Sequence, residues 1–165
     1  MTQAAKVKTL TLCFITRPGE ILLGMKKRGF GTGKWNGFGG KLHEGESIDE
    51  ALHREVREEV GLAMQSVVKK GFVRFEFQDG TDTHEVHIYE CKEFAGAPQE
   101  TEEMKPQWFP KNALPYKDMW PGDLHWIPTF LSGKMFRGRF VYDRPSGPDQ
   151  ETKILEQQIE KVEKL

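Results

Sequence analysis

A chain of 165 residues, 37% hydrophobic and 30% charged, has apolar material for one substantial core and too little length for two, so one soluble domain is expected over residues 1–165. A formal charge of −1 and a pI near 6.5 exclude bulk attraction to nucleic acid or anionic membrane and leave only a local basic site open. The opening MTQAAKVKTLTLCFITRPGE holds an apolar stretch far short of the roughly 20 residues of a membrane span, without a cleavage signature, and no CxxC is present for zinc.

Val7 to Phe14 alternates as a strand, TRPGE supplies turn chemistry, and Ile21 to Met25 reads as the returning strand of a hairpin. KKRGFGTGKWNGFGGK follows with six glycines, material for a loop that lets a ligand approach the backbone. Ser47 with Glu50 forms a capping box and Gly61 stands at a C′ position, which predicts a helix over Ile48 to Val60. GFVRFEF sets Val73, Phe75 and Phe77 on one strand face, and HEVHIYECKEF alternates again after QDGTDT, a second hairpin. His84 and His87 then face opposite sides, which argues against a shared metal, and Cys13 and Cys91 read as reduced buried thiols within strands. PQWFP is a short strand. WPGDLHWIPTFLSGK places Leu124, Ile127 and Leu131 at helical spacing, with Asp123 near the start and Pro128 expected to bend the helix. A strand over Phe136 to Tyr142 precedes DRPSGPDQ, a linker composition, and ETKILEQQIEKVEKL, where Leu155, Ile159 and Val162 predict a helix with a final strand as the alternative. Mixed strands with two or three helices indicate an α/β or α+β sandwich.

On the first helix Ile48, Leu52, Val56 and Val60 make an apolar stripe, and Glu55, Glu58 and Glu59 fill an adjoining arc of roughly 100°. Such spacing repels by a few tenths of a kcal/mol and opposes the helix dipole. A solvated acidic face is one reading. A divalent cation is the other, because Mg²⁺ takes oxygen ligands from carboxylates together with substrate phosphates.

The spacing around these acids decides between the two. Gly40, five residues, Glu46, seven residues, then Arg54-Glu55-Val56-Arg57-Glu58-Glu59-Val60-Gly61-Leu62 fits the Nudix box at every specified position, a chance match of roughly one in ten million for this length. The chain resembles the Nudix hydrolases. That resemblance implies an α/β/α sandwich with a mixed central sheet, a loop-helix-loop at the box, and Mg²⁺- or Mn²⁺-dependent cleavage of a nucleoside diphosphate linked to a further group. LLGMKKRGFG, KWNGFGGK, FEF, EEMKPQWF and KDMWP are similar in order and spacing to the branch that cleaves oxidised purine nucleoside triphosphates such as 8-oxo-dGTP, across about residues 7 to 142.

Carried over residue by residue, the resemblance implies metal binding by Glu55, Glu58, Glu59, Glu103 and the Gly39 carbonyl, with Arg54 orienting a carboxylate. Glu59, and after it Glu103, is the expected base for in-line attack of water that releases pyrophosphate. Lys26, Gly39 and Gly40 would face phosphates, Thr9, Asn36, Phe75, Phe77, Trp120 and Asp123 would hold the base, and Phe38 and Lys41 would also bind the substrate. Read singly, Phe75 and Phe77 suit the core, and Lys26 to Arg28 suit a solvated loop. The implied partner is a small nucleotide, with no nucleic acid or membrane, and the implied protein is a cytoplasmic monomer, nucleus and mitochondrion being the other compartments. One departure stands out: Gly122 occupies the first of two adjacent aspartate positions of that branch. A carboxylate pair can share a proton between them, so the missing one leaves the preferred purine open. A Nudix hydrolase for ADP-ribose or dinucleoside polyphosphates, or a non-catalytic nucleotide-binding module, are the alternatives.

Overall fold

Cys13 and Ile15 point one way from the first strand and Phe14 the other, and all three are fully buried, so the sheet they belong to needs cover on both faces. A computed structural model describes residues 5–146 and 151–165. In chain order it has β1 (Val7–Arg17), β2 (Glu20–Lys26), β3 (Trp35–Asn36), α1 (Ile48–Val60), β4 (Ala63–Phe77), β5 (Thr83–Ala95), β6 (Met104–Pro110), a single 3-10 turn at Tyr116–Asp118, α2 (Asp123–Leu131), β7 (Met135–Tyr142) and β8 (Ile154–Val162). The strands form one mixed sheet in the order β3-β2-β1-β5-β4-β7-β8, with β6 on β2. The β1/β5 and β4/β7 pairs are parallel. Both expected hairpins, β1/β2 and β4/β5, are antiparallel pairs.

Cys13, Ile15, Leu22 and Phe38 bury against Leu52, Val56 and Val60 of α1. On the other face Phe14, Leu23, Val73, Phe136 and Phe140 bury against Trp126, Ile127 and Phe130 of α2. The expected α/β/α sandwich is the observed architecture. Helix α1 covers the residues that its caps predict: Glu50 N donates to Ser47 Oγ at 3.1 Å, and Gly61, at φ 73°, donates to Arg57 O. Pro128 lies inside α2, where it withholds one donor from the helix ladder.

Two elements differ from the sequence reading. β4 begins at Ala63, well before GFVRFEF, because register shifts between Met64 and Ser66, Ser66 and Val67, and Lys69 and Gly71 break its alternation. The segment 151–165, predicted as a helix with a final strand as the alternative, carries strand β8, antiparallel to β7. A register shift opposite Val141 and Tyr142 skips Leu155 and reverses the parity of the strand. Ile154 and Ile159, five apart, therefore both pack on the α2-side core, a spacing that matches neither a regular strand nor one helix face. At the expected linker, Asp143 Oδ1 accepts Lys153 N at 2.7 Å, while residues 147–150 lie outside those described. Cys13 and Cys91 are free and buried.

Candidate active site

The glycine-rich loop is fastened along the edge of β1 where β2 has turned away. Cys13 N donates to Phe38 O at 2.6 Å, Phe38 N to Cys13 O at 2.9 Å and Thr11 N to Gly40 O at 2.9 Å. A β-carbon on Gly39 would fall 1.9 Å from Thr11 O, inside backbone, so this close approach admits glycine alone. One on Gly40 would fall 2.8 Å from Glu55 Oε1, which places the α1 carboxylate against this backbone. A cavity of about 900 Å³ opens here, and its lining combines Lys26, Gly39, Gly40, Lys41 and Glu55 with Asn36, Phe75, Phe77, Trp120 and Asp123. That size suits a nucleotide-sized ligand.

Arg54 organises the acids. Its Nε donates to Glu46 at 2.6 Å, its Nη1 to Glu55 at 2.9 Å and to Glu58 at 3.2 Å, and its Nη2 to Lys41 O at 3.3 Å. The repulsion assigned to a cation in the sequence reading is thus met in part by a guanidinium fork. Hydrogen bonds from Arg54 hold the Glu46 carboxyl down at about 2. Glu59 is the exception to this sharing. Only 3% exposed, it accepts Gly39 N at 3.1 Å on Oε1, while Oε2 is buried without a hydrogen-bond partner. Burial first, then the neighbouring Glu55 carboxylate, pushes its pKa up to about 9. A buried carboxylate oxygen without a donor, beside further carboxylates and a backbone turn, is an all-oxygen donor set that fits a hard cation. Among the described residues no three acidic, His or Cys side chains already form a ligating cluster: Glu58 is held on Arg54 and Glu103 lies 3.6 Å from Arg28 Nη2.

Asp123 is 4% exposed and accepts Trp120 N on Oδ2 and Trp126 Nε1 on Oδ1, both at 3.1 Å. Burial pushes its carboxyl up to about 7 against those two donors. Trp120 stacks on Phe30 with centroids 5.1 Å apart, and Lys34 Nζ sits 5.2 Å from its ring. Asn36 Oδ1 accepts Gly37 N at 2.8 Å, which leaves its amide hydrogens for a ligand. Phe75 and Phe77 line the cavity and also pack on the α2-side core, so both readings of them hold.

Two expected base-pocket residues lie elsewhere. Phe38 is fully buried in the α1-side core, because its backbone pairing with Cys13 turns the ring under α1. Thr9 does not line the cavity; its carbonyl accepts Leu42 N, and Leu10, Thr11 and Leu12 are the β1 residues that reach the space. Glu58, Glu59 and Glu103 flank the cavity without lining it. Phe30 and Lys34 of the glycine-rich loop, Tyr142 and Thr152 line it without having been assigned a role, and His84 lines it although it was set aside as a metal ligand; no linear motif joins β5, β7 and the stretch before β8 to that loop. His84 and His87 do face opposite ways, toward Phe77 and Phe72 respectively.

Residues 8–130 match the family described as the NUDIX domain. Relatives named oxidized purine nucleoside triphosphate hydrolase are 45% identical in Danio rerio, over 96% of this chain and 97% of that one, and 44% identical in Mus musculus, over 93% and 94%. The crystal structure of a MutT protein from Bacillus halodurans superimposes with a TM-score of 0.75 at 27% identity, covering 92% of this chain and 97% of that one.

Proposed function

The chain belongs to the Nudix hydrolase family, and on that premise we propose that it hydrolyses oxidised purine nucleoside triphosphates, such as 8-oxo-dGTP, to the monophosphate and pyrophosphate, so clearing the nucleotide pool. The observation that carries this reading is one cavity whose lining combines an aromatic, carboxyl-bearing set, Trp120 and Asp123, with a glycine-lysine-carboxylate set, Gly39, Lys41 and Glu55. The first set suits a purine, the second a triphosphate.

Nudix hydrolases use divalent metal ions; Mg²⁺ is the proposed cofactor here, with Mn²⁺ able to replace it, held by Glu55, Glu58, Glu59, Glu103 and the Gly39 carbonyl. When bound it supplies a Lewis acid that offsets phosphate charge. The protein's own residues do the rest. Lys26, Lys41 and the Gly39-Gly40 backbone align the phosphates, Arg54 positions Glu55 and Glu58, and Glu59, which a bound cation would hold as the carboxylate against its burial, accepts the proton of the attacking water, with Glu103 as the second candidate. Asn36, Trp120, Phe75, Phe77 and Asp123 hold the base. The proposed working form is a cytoplasmic monomer acting on small nucleotides, in keeping with a net charge of −1 and with the absence, among the described residues, of any helix long and apolar enough to cross a membrane.

A Mg²⁺ assay over dGTP, 8-oxo-dGTP, 2-hydroxy-dATP, N6- and O6-methylated purine triphosphates and ADP-ribose, scoring pyrophosphate, tests the reading. Modified purines are expected to exceed dGTP at least about tenfold, near 1.4 kcal/mol of discrimination. Equal turnover of dGTP rejects the pool-clearing role, and preferred cleavage of ADP-ribose moves the chain to another Nudix substrate. Glu59→Gln is expected to abolish turnover with the circular dichroism spectrum retained; retained turnover would show that another residue is the base.

A further inference from the structure

Gly122 is a glycine for a reason visible on β7. A β-carbon built there would lie 2.2 Å from Tyr142 Oη, so the phenol already occupies the place where a side chain at 122 would begin. Tyr142 is 5% exposed and lines the cavity next to Asp123. Its ring is fixed in a bank of near-parallel aromatics, 14° from Phe75, 24° from Phe77 and 10° from Phe140, with centroids 5.8 to 6.1 Å away. Packing alone would be served by phenylalanine. The oxygen at its tip must be hydrogen-bonded or costly.

We propose that Tyr142 is a specificity-determining residue, whose hydroxyl, standing over Gly122 beside Asp123, donates to a purine that carries oxygen at C6 and so biases the pocket toward guanine-type over adenine-type bases. This rests on the reading that the cavity takes purine nucleotides. The Gly122 backbone crowds one side of the phenol oxygen, and the O–H proton is what the group can offer a ligand. Two adjacent carboxylates can pass a proton between them and serve either kind of base edge. A phenol and a carboxyl cannot do so, because their proton affinities lie far apart: burial and the Asp123 charge push the Tyr142 pKa further up from its ordinary value. The proton stays on Tyr142, so the phenol always has a donor to offer a C6 oxygen.

The test measures kcat and KM for 8-oxo-dGTP and 8-oxo-dATP with the wild type, Tyr142→Phe and Gly122→Ala. Tyr142→Phe removes one oxygen and keeps the aromatic bank. The ratio of kcat/KM, guanine-type over adenine-type, is expected to fall about fivefold or more, the worth of one neutral hydrogen bond, mainly through KM. Gly122→Ala leaves Tyr142 in place but displaces its hydroxyl, and the ratio should move the same way; this variant decides the matter if Tyr142→Phe does not fold. Equal loss on both substrates, an unchanged ratio or a rise in it overturns the inference and leaves the proposed function standing. If the wild type turns over dGTP as fast as 8-oxo-dGTP, the proposed function fails instead, and the dGTP-to-dATP ratio in the same variants still decides the role of Tyr142.

Discussion

Arg54 illustrates how much one residue can hide in a motif. Its place before Glu55 was legible from the Nudix spacing, yet its reach to Glu46, eight residues back, and to Glu58 depends on how the loop folds over α1. Replacing Arg54 by alanine or lysine frees the carboxylates it orders, since an ammonium cannot bond all of them from one plane. We expect kcat to drop about ten- to hundredfold in both variants, read in the Mg²⁺ assay. Asp123 allows a prediction in pH. Its folded pKa of about 7 lies above the ordinary 3.8, so the native state binds the extra proton between these values, and stability is fully present below about pH 4 and lost as pH rises through 7. From pH 5 to pH 8 the contribution is roughly 2–3 kcal/mol. Urea unfolding at the two values should show the wild type weakening by that much more than Asp123→Asn; equal weakening would place the titration elsewhere.

Among the elements, α1 was readable to its ends because caps and an apolar stripe are local signals, whereas β8 was not. Its parity reversal at Leu155 is imposed by pairing with β7, and without that bulge Leu155, Ile159 and Val162 imitate a helical face. The loop between β3 and α1 is intermediate. Its six-glycine composition marked it as a ligand loop, but only the structure reveals that Gly39 is fixed by contact with Thr11 and that Phe38 belongs to the core. Gly39→Ala must therefore lift the loop from β1. The expected result is loss of hydrogen-exchange protection at the Thr11 and Cys13 amides and a fall in kcat/KM of about a hundredfold, as displacement by an ångström at a reacting site predicts.

At the scale of the whole molecule, the sandwich followed from alternation in β1 and β5 and from the family resemblance, while the cavity did not follow from either. Its walls come from β1, the glycine-rich loop, α2, β7 and the stretch that leads into β8, brought together only by the strand order. β8 pairs along the whole of β7, and β7 carries Tyr142. Deletion of residues 151–165 should lower Tm by about 10 °C or more and leave the β7 edge unpaired and prone to self-association, measured by calorimetry and size-exclusion chromatography. An unchanged Tm would mean that β8 adds little to the core.

β1 meets the cavity in two ways: Leu10 and Leu12 border it through their side chains, and the backbone of Thr11 and Cys13 pins the loop that carries Gly39. If the nucleotide binds as proposed, a stiff rod of pleated chain gauges the span from nucleobase to scissile phosphorus. Under the proposed chemistry, a guest longer or shorter by one phosphate arrives out of step, with its bond to be broken beside the glutamates' reach instead of within it.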